Sequence, residues 1–309
     1  MAGEVCDRHP AGGLSGGSPG ILHFVGFRYW TASLFPALVG TTLPFWLRRP
    51  GFTFNWLGAI EFLIATVLLH AGFSLLHAFF EDRSTAEWPR RRLLGAAVVC
   101  LGAACLVGLH IHSGLSLGDS VPGFIFIVYG LSTLFAGVLY VAPPFSFWRR
   151  TGGEIVLWES LGLIPVLGAY LVQAGDLTRT VYLVSIPLVV ATALWVVTDE
   201  LIGRADDEKE GRQTLVILFG PRFSGRFVMP ALSLAFYATL LLAVFTASIS
   251  PWALMAVVLS FGFVWTIVTV SWREYASPTR MLQARRSAFG LHLATGIIIA
   301  ASSLVALLR

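Results

Sequence analysis

Three short segments concentrate the side chains able to do chemistry. The first reads His70-Ala-Gly-Phe-Ser74-Leu-Leu-His77-Ala78-Phe-Phe-Glu81-Asp82-Arg83, with Ser74, His77, Ala78 and Glu81 at i, i+3, i+4 and i+7. On a helix these share one face, with His70 a turn below Ser74. A polar stripe near the end of an apolar run must face a bundle interior or a water-filled cavity. There it can bond across helices as packing glue, or place a histidine to accept or donate a proton. The second segment runs from Thr198 through Asp199, Glu200, Gly203, Arg204, Asp206, Asp207, Glu208, Lys209, Glu210 and Arg212 to Leu215. If its helix continues, Asp199, Gly203 and Asp207 fall on one face, a spacing at which carboxylates can share a divalent ion. A charge run of this kind is also how a solvated loop reads. The third is Tyr140-Val-Ala-Pro143-Pro144-Phe-Ser-Phe-Trp148-Arg149-Arg150-Thr-Gly152-Gly153-Glu154. Its proline pair ends a helix, its arginines suit phosphate, and its glycines let backbone approach a ligand closely. Glu61 and Glu159 are further acids inside apolar runs. Either can be functional or paired with an arginine or hydroxyl.

The elements that must position these groups are membrane helices. Of 309 residues, 56% are hydrophobic and 12% charged, and the mean hydropathy is +0.77. A soluble domain of this length needs a charged surface that the sequence lacks. Apolar runs of spanning length fall at about 25–47, 54–80, 93–113, 122–142, 154–173, 179–200, 225–247, 251–271 and 287–308. Each needs about 20 apolar residues, and only helices satisfy their own backbone in lipid. The expectation is an all-α, polytopic bundle of about nine transmembrane helices around a central cavity. Residues 1–22, rich in Gly, Ser and Pro, read as a disordered tail, and residues 23–309 as a single transmembrane domain. The three cysteines, Cys6, Cys100 and Cys105, have no metal-ligand spacing and read as small packing residues.

Charge placement gives the orientation. Of the 21 basic residues 20 are arginine, and they cluster between apolar runs, which argues against nucleic acid as a partner. With the N-terminus in the cytoplasm, 17 basic residues lie inside, and only Arg48, Arg49, Arg179 and Arg309 lie outside. The acids collect on the same face. Arginines and carboxylates together suit a phosphorylated ligand, bound directly and through metal ions, although a cytoplasmic surface is also charged. A bacterial inner (plasma) membrane is the expected location.

Taken together, the three segments resemble the UbiA superfamily of membrane prenyltransferases, most closely its dihydroxynaphthoate branch in menaquinone biosynthesis. Arg28-Tyr-Trp-Thr-Ala-Ser-Leu-Phe-Pro36-Ala-Leu-Val-Gly40-Thr is similar to the family's first helix. Residues 140–154 resemble its Tyr-x-x-Pro-Pro…Arg…Gly-x-Glu loop, and the likeness continues through Gly162, Pro165, Gly168, Tyr170 and Gln173. Gly211-Arg212-Gln-Thr214-Leu215 is similar to the end of its second aspartate loop. The likeness runs from about residue 28 to 220.

The resemblance implies a central cavity under a cytoplasmic cap, where an isoprenyl diphosphate is bound through Mg2+ and its allylic cation is attacked by an aromatic acceptor. On this basis Glu81, Asp82, Asp199 and Asp207 are expected to hold Mg2+. Arg28, Arg149, Arg150, Lys209 and Arg212 are expected to bind the diphosphate, and His77 and Ser74 to serve the acceptor. The chain departs from the family's motifs. Where the first reads Asn-x-x-Asn-Asp-x-x-Asp, it has Ser74, His77, Ala78 and Glu81. Where the second reads Asn-x-x-x-Asp-x-x-x-Asp, it has Asp199, Gly203 and Asp207. Three readings follow: a prenyltransferase with a remodelled site, related isoprenoid chemistry without normal ionisation, or a silent isoprenoid-binding or scaffold protein.

Overall fold

A computed structural model describes residues 30–47, 52–116, 120–246 and 248–308. Residues 1–22 and Arg28 lie outside them. Among the described residues nine long helical segments follow one another: α1 Trp30–Leu47, α2 Trp56–Phe80, α3 Arg90–Leu115, α4 Ser120–Val141, α5 Gly153–Ala174, α6 Arg179–Lys209, α7 Pro221–Phe245, α8 Pro251–Glu274 and α9 Pro278–Leu304. Eight of them, α2 to α9, are long and apolar enough to cross a membrane, so the chain is a multi-pass membrane protein. The shorter α1 carries Pro36 and Pro44 and buries Ser33, Thr41 and Thr42 among its neighbours.

The boundaries differ from expectation at charged ends. Helix α6 runs nine residues past 200 and carries Asp207 on its last turns. Helix α9 begins at Pro278 rather than 287, with Ser277 Oγ accepting the Arg280 amide at 3.4 Å. In both, charged residues truncate the apolar window but leave the helix intact, because its end projects beyond the hydrocarbon.

The packing is uneven. Helices α1, α5, α6, α7, α8 and α9 share one large core around Tyr170, Leu188, Phe236 and Leu291. Helices α2 and α3 form a smaller one around Leu75 and Leu93. Helix α4 is the most weakly buried span and turns Phe124, Val128, Leu131 and Phe135 outward, as a lipid-facing wall does.

Five buried hydroxyls are satisfied within their own helices. Thr41, Thr192, Thr198, Ser233 and Thr295 each donate to the carbonyl four residues back. His292 ties three helices together, with Nε2 2.9 Å from the Ala32 carbonyl and Nδ1 3.1 Å from Thr192 Oγ1. At the opposite end from the acid-rich segments, Asn55 and Gln173 exchange two amide bonds of 3.0 and 2.9 Å and fix α2 against α5.

Close helix contact rests on small residues. A Cβ on Gly40 would meet the Val166 carbonyl oxygen at 2.1 Å. Gly40→Val is therefore expected to force α1 from α5 and to cost at least about 1–3 kcal/mol. Thermal unfolding in detergent checks this, with Gly102→Val, which meets nothing within 4 Å, as a control that leaves the transition unmoved.

Candidate active site

The end of α2 presents the expected face. Ser74, His77, Ala78 and Glu81 all line one cavity. Glu81 stops the helix, its amide donating to the His77 carbonyl at 2.9 Å, and the chain then reverses through Asp82 at φ 56°. That reversal carries Asp82 away from the cavity, so it does not join the expected carboxylate set. Its carboxylate faces Arg90 at 3.5 Å and Ser84 at 3.2 Å. Arg83 folds back onto Glu81.

The long α6 brings Asp199, Gly203 and Asp207 along one face, as their spacing predicts. Gly211, at φ 67°, turns the chain sharply after it, and the Arg212 amide bonds the Asp207 carbonyl at 2.9 Å. The Arg212 side chain is thereby laid across the gap between α6 and α2. One guanidinium nitrogen donates to Asp207 Oδ1 at 3.1 Å, and the other to Glu81 Oε1 at 2.8 Å. It also reaches Glu210 at 2.8 Å. The Glu81 and Asp207 carboxylates, 131 and 5 residues away in sequence from Arg212, are thus gripped by one guanidinium fork.

The third segment closes over this pair. Trp148 packs edge-on to His77 at 4.7 Å, while the guanidinium carbons of Arg149 and Arg212 lie over its ring at 4.6 and 4.4 Å. Gln213 donates to the Arg149 carbonyl at 2.8 Å and Thr151 to the Gln213 carbonyl at 2.9 Å, locking the loop to the chain after α6. Glu154 completes the lock, accepting the Gly152 and Leu215 amides at 2.8 and 2.7 Å. The glycine pair has a task other than ligand approach. A Cβ on Gly153 would strike the Phe147 carbonyl oxygen at 2.0 Å, and Gly152 holds φ 92°. Glu154→Ala is expected to destabilise the fold by about 1–3 kcal/mol for each amide left unpaired. Glu154→Gln, which keeps an acceptor oxygen, should recover part of the loss in the same thermal melt.

The remaining expected residues are placed as follows. Arg149, Arg150, Lys209 and Arg212 all line the cavity. Arg150 spends one donor on the Pro144 carbonyl at 2.9 Å, and Lys209 faces Asp206 at 3.3 Å. Asp199 lines the cavity but is held by Arg285 of α9 at 2.9 Å. Sequence reasoning gave no site role to Trp148, Arg83 or Arg285, and noted Glu200 only as an acid of the second segment; its carboxylate accepts the Val216 amide at 3.2 Å. Glu61 pairs with His110 of α3 at 2.7 Å, outside the cavity.

The cavity itself measures about 2350 Å³ and runs from this charged end into apolar walls from α2 to α6, among them Phe62, Leu109, Phe126, Leu161 and Pro165. Small-molecule sites are commonly about 300–1,000 Å³. This one has room for a long apolar chain with a charged head. Inside it, Ser33 of α1 and His70 of α2 share a 2.8 Å bond.

No family model matches the chain. It is 24% identical to 1,4-dihydroxy-2-naphthoate octaprenyltransferase of Bacillus subtilis over 87% of this chain and 89% of that protein. It is 26% identical to UbiA prenyltransferase domain-containing protein 1 of Xenopus tropicalis over 65% of this chain and 61% of that one. The fold is that of solved relatives. A digeranylgeranylglyceryl phosphate synthase structure aligns with TM-score 0.65 at 10% identity, covering 92% of this chain and 98% of that one. A UbiA homologue from Archaeoglobus fulgidus bound to GPP and Mg2+ aligns with TM-score 0.52 at 13% identity, covering 91% and 99%.

The chain is similar to the UbiA superfamily, in sequence to its curated members and in fold to its solved ones.

The solved UbiA homologue from Archaeoglobus fulgidus binds Mg2+ together with GPP or DMAPP. Mg2+ demands hard oxygens in near-octahedral array. Of the carboxylates on hand, Glu81 and Asp207 are bridged by Arg212, Asp199 by Arg285, and Glu154 and Glu200 are engaged by backbone amides. Ala78 and Gly203 offer no side-chain oxygen. Among the described residues no group of three or more His, Cys, Asp and Glu is arranged to hold a metal ion. The residues present do not fit Mg2+ as arranged.

Proposed function

We propose that this UbiA-like chain is a membrane prenyltransferase that moves an isoprenyl group from an isoprenyl diphosphate to an aromatic acceptor of the quinone-precursor kind. The observation that carries the reading is one cavity joining an arginine-rich head, at the ends of α2 and α6, to an apolar interior. That is the shape and polarity of an isoprenyl diphosphate. The Bacillus subtilis relative, a dihydroxynaphthoate octaprenyltransferase, suggests the acceptor class and a place in menaquinone biosynthesis.

In this reading Arg149, Arg150, Arg212 and Lys209 bind the diphosphate, joined by Arg28 if the chain before α1 brings it there. The bond between the allylic carbon and the diphosphate oxygen breaks, and its electron pair leaves with the diphosphate. Preorganised guanidinium charge is worth most here, because negative charge grows on the leaving group as the bond breaks. The allylic cation is shielded by the ring of Tyr140, which lines the cavity near its charged end. The acceptor's ring carbon then forms the new carbon–carbon bond and loses its proton. His77 Nε2 is buried, makes no hydrogen bond, and lies 3.6 Å from Glu81. In this reading it takes that proton, with Ser74 one turn below to orient the acceptor.

In this reading the arginine-rich end faces the cytoplasm, as the positive-inside tendency favours, with a cytoplasmic N-terminus, and the membrane is a bacterial plasma membrane. The test is direct. Purified chain in lipid nanodiscs is given geranyl diphosphate and 1,4-dihydroxy-2-naphthoate, and products are read by mass spectrometry. A prenylated naphthoate with equimolar diphosphate is the expected result. Absence of both, with longer donors also inert, removes the reading.

A further inference from the structure

Resting on the reading above, the cations at the head of the cavity identify how this chain neutralises its substrate. We infer that the diphosphate is held by guanidinium groups in place of metal ions, so that its binding does not require a divalent cation. The observation is positional. The carboxylates of α2 and α6 that face each other across the gap, Glu81 and Asp207, already meet on a cation, and that cation is Arg212. A divalent ion between them would have to expel the guanidinium and then sit beside its charge, together with that of Arg83 on Glu81.

The other acids lining the cavity are engaged as well. Asp199 serves Arg285, Asp206 faces Lys209, Glu210 joins Arg212, and Glu154 and Glu200 hold backbone amides. The two positions where a further carboxylate would complete a pair are Ala78 and Gly203.

The guanidinium groups, in contrast, keep donors to spare. Arg212 Nε is buried without a hydrogen-bond partner. Arg149 lies over Trp148 and pairs with no carboxylate among the described residues, and Arg150 has given only one nitrogen to a carbonyl. Arginine's planar fork matches phosphate oxygens two at a time, and its charge is present at every working pH. The indole of Trp148 carries two of these forks, holding them in place before a ligand arrives.

The experiment measures geranyl diphosphate binding to the purified full-length chain by calorimetry, once in EDTA and once in Mg2+, with geraniol as the control for the apolar tail. The expected result is an affinity equal in the two conditions to within about threefold, and well above that for geraniol. Arg149→Gln and Arg150→Gln, on exposed side chains whose loss spares the core, should each lower affinity in EDTA by about tenfold. Binding that vanishes in EDTA and returns with Mg2+ overturns the inference and leaves the transfer reading standing. No binding in either condition overturns both.

Discussion

Arg212→Gln is expected to cost the folded chain roughly 3–5 kcal/mol and to weaken geranyl diphosphate binding by about a hundredfold or more. The guanidinium is 22% exposed, and its partners Glu81 and Asp207 are 6% and 9% exposed. Removing it leaves Asp207 facing Glu81 across the gap with little water to screen them, and Glu81 with Arg83 as its cation. The neutral amide keeps the length of the side chain and loses the charge. Arg212→Lys restores the charge without the fork, so it should recover most of the stability but less of the affinity. Thermal unfolding separates the two effects from calorimetric binding. A glutamine variant as stable as the natural chain would mean that Arg212 does not organise the ends of α2 and α6.

The second large effect comes from returning acids to the two positions that lack them. In Ala78→Asp with Gly203→Asp, two carboxylates enter beside Glu81 and Asp207. A Cβ on Gly203 would lie 3.8 Å from Asp207 Oδ2, so the new charge falls directly on the existing pair. Four carboxylates then compete for Arg212, and an incoming diphosphate meets like charge. Binding in EDTA should drop by about a hundredfold, and Mg2+ should now restore it. Calorimetry with and without the ion reads both halves. An unchanged affinity in EDTA would show that residues 78 and 203 do not face the phosphates.

Much of this was legible in the sequence because helix periodicity is a local property. The spacing of Ser74, His77, Ala78 and Glu81 put them on one face, and they line one cavity. The spacing of Asp199, Gly203 and Asp207 required α6 to continue past its apolar run, and it does. Windowed hydropathy stopped α6 and α9 early, because charge at a helix end looks like a loop when only apolarity is counted. Ser277 before Pro278 was a readable start signal for α9.

What was not legible is set by tertiary contact. Nothing in the run Glu81-Asp82 says which acid turns inward, since that depends on the left-handed conformation of Asp82. Trp148 stood in the third segment with no role its sequence neighbours could assign, and only the folded chain packs it against His77, Arg149 and Arg212. Arg285 read as a loop charge, yet it neutralises Asp199 from another helix. The Gly152-Gly153 pair suggested a ligand cradle and instead makes room for the Phe147 carbonyl.

A structure of the purified chain with a non-hydrolysable geranyl thiodiphosphate puts the site itself to the test. The expected density shows both phosphates within hydrogen-bond distance of Arg149, Arg150 and Arg212 beside Trp148, with the geranyl tail descending between α2 and α5. Phosphates bound away from the ends of α2 and α6, or a tail lying outside the cavity against the lipid, would contradict it.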